Sequence, residues 1–221
     1  MLRIAIDGAC RRNGTPDCLS AGGIFVELFD ERGICLQTDT RSNYELNSTN
    51  QRGELTALLT AIVYVANGNI PAQIITDSEY IFNMMTKDWL NAWDRKGWVT
   101  AANEPVKNKD LLLVIKEHVD YCKPEITYYH IKGHVIPFGK VTAVKLLVED
   151  KTGRLLRKAV SEKYDSLIPT KQDIVDAAQE LSCRNNGFML DDKIFKDFVV
   201  SNIVADAVAT QCVDAVDRME G

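Results

Sequence analysis

The chain lacks the features that would assign it to several large classes of protein. Its six cysteines, Cys10, Cys18, Cys35, Cys122, Cys183 and Cys212, include no Cys-x-x-Cys pair and form no zinc-like grouping with the three histidines. Thiols scattered in this way read as reduced. No apolar run approaches the roughly 18 to 20 residues of a membrane span, and the N-terminus has no charged, apolar and small-residue progression of the secretory kind. The expectation is a protein with no membrane, working in the cytoplasm or an equivalent compartment. An excess of positive charge is missing too: 26 basic side chains face 31 acidic ones, for a net charge of −5. That is the wrong sign for holding nucleic acid by bulk charge, so any polyanion has to be gripped locally, with metal ions offsetting the acids.

What remains is ordinary globular material. With 221 residues, 46% hydrophobic and 26% charged, the chain is long enough to bury a substantial core in one or two domains. It opens on Leu2-Arg3-Ile4-Ala5-Ile6-Asp7-Gly8, a buried-strand pattern that ends at an acid. A polar turn is expected over Ala9 to Gly14, then two strands, Gly22 to Phe29 and Gly33 to Thr40, completing an antiparallel meander. Ser48, Thr49 and Asn50 are capping candidates for a helix carrying Leu55, Leu58, Leu59, Ile62 and Val63, with Glu54 in its first turn.

A second short strand, Gln73 to Thr76, also ends at an acid, Asp77, and Ser78 starts a helix through Met85. The aromatic and basic segment Trp89 to Trp98 comes next, followed by a helix from about Lys107 to Tyr121 and a strand from Glu125 to Ile131. Between Pro137 and Asp197 the pattern changes to a hairpin (141–148 and 154–160) and an amphipathic helix (170–181). The final helix runs from about Asp192 to Asp217 and carries Asn202 and Asp206. A strand-helix-strand crossover sets Asp7 and Asp77 on one sheet edge, where Glu54 and Asp206 can join them. Four acids together repel, and oxygen-only ligation favours Mg²⁺ or Mn²⁺ over zinc. Singly, each acid has a plainer role as a cap, a dipole partner or solvated surface.

In order, Ile6-Asp7-Gly8-Ala9-Cys10, Thr49 to Leu55, Thr76 to Tyr80, Lys132-Gly133-His134 and Asn202 to Asp206 resemble type 1 ribonuclease H. Trp89 to Trp98 with Pro105 to Asn108 is similar to that family's basic protrusion. The resemblance implies a ribonuclease H-like α/β fold, a five-stranded mixed sheet flanked by helices. The catalytic domain spans 1–136 and 198–221, with an inserted α+β subdomain at 137–197. It implies endonucleolytic cutting of the RNA strand of an RNA/DNA hybrid, leaving 5′-phosphate and 3′-hydroxyl ends. Asp7, Glu54, Asp77 and Asp206 would hold two Mg²⁺ ions, with Mn²⁺ able to substitute, and His134 would assist proton movement or product release.

By the same resemblance, Asn13, Asn50, Gln51 and the backbone near Cys10 would read the 2′-hydroxyl in the minor groove. Thr49 and Asn108 would hold a DNA phosphate, Trp89, Trp93 and Thr100 would line the DNA channel, and Asn202 would support Asp206. Departures are Ala9, Asn47 and Glu79, the last an acid that can repel phosphate, and the long stretch before the last helix. The first half of that stretch is basic and is expected to contact substrate or a protein partner. A monomer is expected. Two other readings stay open: a hybrid-binding module without turnover, and a DNA-cutting relative on the same fold.

Overall fold

The computed structural model describes residues 1–131 and 192–220. Five strands form one mixed sheet in the order β3-β2-β1-β4-β5. These are β1 (Leu2–Arg11), β2 (Leu19–Phe29), β3 (Cys35–Glu45), β4 (Ala72–Thr76) and β5 (Ile126–His130). The first three make the expected antiparallel meander, while β4 and β5 run parallel to β1. The described helices are α1 (Asn50–Gly68), α2 (Glu79–Thr86), α3 (Trp89–Arg95), α4 (Lys109–Tyr121) and α5 (Asp192–Glu220).

Alternation along β1 decides which helix lies on which face. Ile4, Ile6 and Gly8 point to the α1 side, where they join a core with Leu55, Leu58, Ile62, Leu112 and Ile115. Arg3, Ala5, Asp7, Ala9 and Arg11 point the other way, toward α5. Close approach on both faces depends on glycine. A Cβ on Gly22 would stand 2.6 Å from the Gly53 carbonyl oxygen, and one on the adjacent Gly23 would stand 2.5 Å from the Ala209 nitrogen. Successive residues of β2 therefore seat α1 and α5 directly on the backbone, one on each side.

Several expectations shift. β1 does not turn after Gly8 but continues to Arg11, because Asp7 to Arg11 stay paired with Gly23 to Leu19 after β4 has ended. Thr49 is the N-cap of α1, accepting from the Arg52 N–H, so the helix starts at Asn50 and Glu54 sits in its second turn rather than its first. Trp89 to Arg95 is a short helix, and α5 extends past Asp217 to Glu220. β3 is an outer strand whose Leu36 and Tyr44 are 62% and 55% exposed. Asp197–Met219 is, contrary to the sequence reading, long and apolar enough to cross a membrane, yet 67% of its apolar window is buried within the fold, as befits a core helix. The hairpin, the helix at 170–181 and most of the 137–197 subdomain lie outside the described residues.

Candidate active site

Parallel pairing of β1 with β4 ends at Ile6 opposite Thr76. The next residue of each chain segment is an aspartate, so Asp7, within β1, and Asp77, just past the carboxyl end of β4, stand where the two strands part. Ligands in open α/β sheets collect at such a parting. There the cleft, about 420 Å³, is lined by Asp7, Gly8, Ala9, Cys10, Arg11, Asn50, Glu54, Asp77, Asp206, Thr210, Val213 and Asp214. The four carboxylates singled out from the sequence thus come together from two strands and two helices.

Each is positioned by local structure. Asp7 lies within a strand opposite Gly23 and accepts from the Gly8 N–H at 2.7 Å. Glu54 arrives from the other face over Gly8, where a Cβ would stand 2.6 Å from the Glu54 nitrogen. Its two oxygens accept from Ser78 Oγ at 2.5 Å and Asn50 Nδ2 at 3.2 Å. Ser78 also caps α2, accepting from the Ile81 N–H. Asp206, 5% exposed, comes from the buried face of α5 rather than from solvent. Burial pushes the Glu54 carboxyl above its usual range; the Ser78 hydrogen bond works against that, and the Asp77 charge adds to it.

The charge of Asp77 thus reaches Glu54 across the cleft, a repulsion that a cation would relieve, and the donors are all oxygen, as Mg²⁺ and Mn²⁺ prefer. Among the described residues no three acid, histidine or cysteine side chains make a ready-made ligand cluster. The four acids line the cleft as separate oxygen groups.

The other expected residues divide into groups. Cys10 and Asn50 line the cleft with the acids. Asn108 Nδ2 donates to Gln51 Oε1 at 3.0 Å, next to the capping Thr49, and Asn13 is exposed on the turn after β1. Trp89, Trp93 and Thr100 are not among the residues lining the cleft; Trp89 and Trp93 are half-buried against the main core, with ring centroids 5.7 Å apart. Asn202 is buried one turn before Asp206, its Nδ2 without a hydrogen-bond partner. His134 lies outside the described residues. His130 is buried with Nε2 3.1 Å from the Asp77 carbonyl oxygen.

Arg11, Thr210, Asp214 and the second role of Ser78 were not foreseen. Spacing could have found Thr210 and Asp214, one and two turns beyond Asp206 on a helix, whereas Arg11 falls in a stretch that reads as a turn. Arg11 pairs with Asp214, its Nε donating to Oδ1 at 3.1 Å, while Arg12 Nη1 meets Asp217 at 2.8 Å. No two of the described cysteines are joined in a disulfide.

A family model described as RNase H matches residues 2–142. Among curated proteins, a ribonuclease H of Solibacter usitatus is 35% identical over 133 residues, covering 60% of this chain and 82% of that protein. A ribonuclease H of Rickettsia felis is 34% identical over 152 residues, covering 67% and 89%. Among solved structures, the PFV RNase H domain superposes with a TM-score of 0.50 at 27% identity, covering 60% of this chain and 79% of that one.

Proposed function

This chain belongs to the ribonuclease H family, and from that membership we propose that it hydrolyses the RNA strand of RNA/DNA hybrids internally, leaving 5′-phosphate and 3′-hydroxyl ends. One observation carries the reading: Asp7, Glu54, Asp77 and Asp206, distant in the chain, line a single cleft where two parallel strands part. They would hold two Mg²⁺ ions, with Mn²⁺ as substitute. When bound, such ions lower the pKa of the attacking water and stabilise the departing oxygen.

The chain's own groups do the rest. Ser78 and Asn50 hold both oxygens of Glu54, so that carboxylate meets the substrate already oriented. Asn50 and the backbone at Cys10, which line the cleft, would read a ribose 2′-hydroxyl together with Gln51 and Asn13. Thr49 and Asn108 take a phosphate of the DNA strand, and the half-exposed Trp89 and Trp93, with Thr100, support that strand beyond it. Asn202 backs Asp206 from one turn away, and His134 assists proton movement.

The test is cleavage of end-labelled hybrid, all-RNA and all-DNA duplexes with Mg²⁺, by the parent and by Asp77→Asn. The parent is expected to cut the hybrid alone, and the variant to bind it uncut. Binding without metal-dependent cutting by the parent would leave a hybrid-binding module. Cutting of the all-DNA duplex would instead place the chain with DNA-cutting relatives of the same fold.

A further inference from the structure

We propose that Arg3 and Arg11, at opposite ends of one face of β1, are positioning residues that key α5 in register along the strand and so hold Asp206 level with Asp7. The functional consequence rests on the nuclease reading above; the geometry does not.

Two clasps join this strand to this helix. At the near end Arg3 Nη1 lies 3.5 Å from Asp197 Oδ2 and 3.6 Å from Glu27 Oε2, its guanidinium between the rings of Phe29 and Phe198 at 4.6 and 5.3 Å. Ser201 Oγ, one turn into the helix from Asp197, donates to Glu27 at 2.6 Å. At the far end Arg11 holds Asp214, and Arg12 holds Asp217. The strand rises about 3.3 Å per residue, so Arg3 to Asp7 and Asp7 to Arg11 each span about 13 Å. The helix rises about 1.5 Å per residue, so Asp197 to Asp206 spans about 14 Å and Asp206 to Asp214 about 12 Å. The two ladders climb in step, and the catalytic pair falls at the midpoint of both.

Something has to set this register. The seat at Gly23 brings Ala205 and Ala209 against the sheet, which fixes how close the helix lies. The buried face of α5 also carries Phe198, packed on Tyr129 at 5.0 Å, and Val213 and Val216, packed with Leu19 and Ala21; this packing contributes to how far along the helix sits, and the charged ends add to it. A slip of one turn, about 5.4 Å, would bring Asn202 or Thr210 level with Asp7, and neither is an anionic ligand. Charge at both ends opposes that slip, because Arg3 would be left with Glu27 alone and Arg11 would part from Asp214.

The whole 221-residue chain tests this with Arg11→Met, with Asp197→Asn, and with the exchange Arg11→Asp plus Asp214→Arg, which keeps the net charge. Asp197→Asn leaves buried Arg3 its Glu27 partner, so the fold survives where Arg3→Met could unfold it. Mn²⁺ affinity by calorimetry, kcat and KM on a hybrid, and Tm are measured together. Opening either clasp is expected to weaken Mn²⁺ binding and lower kcat by about 10-fold with KM unchanged, and the exchange to restore most of both. Unchanged Mn²⁺ affinity and kcat in both single variants would overturn the proposal. So would a raised KM with a flatter salt dependence and intact kcat in Arg11→Met, which marks a phosphate contact instead. A parent that binds Mn²⁺ but cuts no hybrid sinks the nuclease reading alone, since Mn²⁺ affinity still reports the register.

Discussion

Ser78 Oγ donates to Glu54 Oε2 at 2.5 Å, so the residue that caps α2 also orients a carboxylate on α1. Its hydroxyl accepts from the Ile81 N–H on one side and donates to Glu54 on the other. Ser78→Ala loses both, costing about 1 kcal/mol of stability by urea unfolding. In the metal-free protein Glu54 already titrates above its usual 4.5 because burial disfavours its charge, and removing Ser78 raises it further. A carboxyl raised in the folded state makes stability fall as pH rises through the window above 4.5, and the variant steepens that fall. Carbon NMR of the Glu54 carboxyl across pH measures the shift. Ser78→Thr, which keeps the hydroxyl, should titrate like the parent.

Asp77→Asn should separate activity from stability. The charge of Asp77 raises the pKa of Glu54, which means the two acids repel in the metal-free cleft. Neutralising it abolishes cutting yet raises metal-free stability by about 0.5 to 2 kcal/mol, the range typical when a strained active-site group is removed. Calorimetric unfolding with and without Mg²⁺ checks this. The parent should gain Tm with the metal, and the variant should gain less.

Gly22→Ala and Gly23→Ala, one residue apart, should injure different partners. The first presses on Gly53 and Ala57 of α1, with the new Cβ 2.6 Å from a carbonyl oxygen; the second presses on Ala205 and Ala209 of α5 at 2.6 and 2.5 Å. Each overpacking costs about 1 to 3 kcal/mol. Hydrogen exchange should report the difference, with protection falling first in 50–60 for Gly22→Ala and in 200–212 for Gly23→Ala.

Arg52 ties β3 to α1 and α4 through Glu45 at 2.8 Å and Asp110 at 2.9 Å. Its hydrogen bonds hold both acids below their ordinary values of 4.5 and 3.8. Depressed carboxylates stabilise above their unfolded pKa, and that stability is lost as pH falls through the folded one. Tm of the parent should therefore drop below about pH 5, and Arg52→Met should start about 1 kcal/mol lower with a flatter acid limb. The figure is small because Asp110 is largely exposed.

Much of this was legible because the chemistry sits where periodicity changes. Asp7 and Asp77 each follow an apolar strand pattern, and that pattern located both the strands and the acids. Glu54 and Asp206 were legible as members of helical repeats, but their burial was not: whether an acid on a helix meets water or a sheet depends on which residues it packs against. The continuation of β1 to Arg11 was hidden because Ala9-Cys10-Arg11-Arg12-Asn13-Gly14 reads as a turn, and only pairing with β2 holds it extended. Arg11 and Asp214, 203 residues apart, look like solvated charges in sequence and become partners only when strand and helix lie alongside. The apolar character of Asp197–Met219 was also underread, since its acids interrupt any single run while leaving one face wholly buried.

The paired glycines of β2 have one more effect. With two side-chain-free residues in succession, the wall between α1 and α5 is locally no thicker than a bare main chain. Under the proposed function, Glu54 from one side and the shorter Asp206 from the other could then reach the same ion. A thicker partition would demand longer arms, whose extra torsional freedom would make them poor holders of a small, exacting cation.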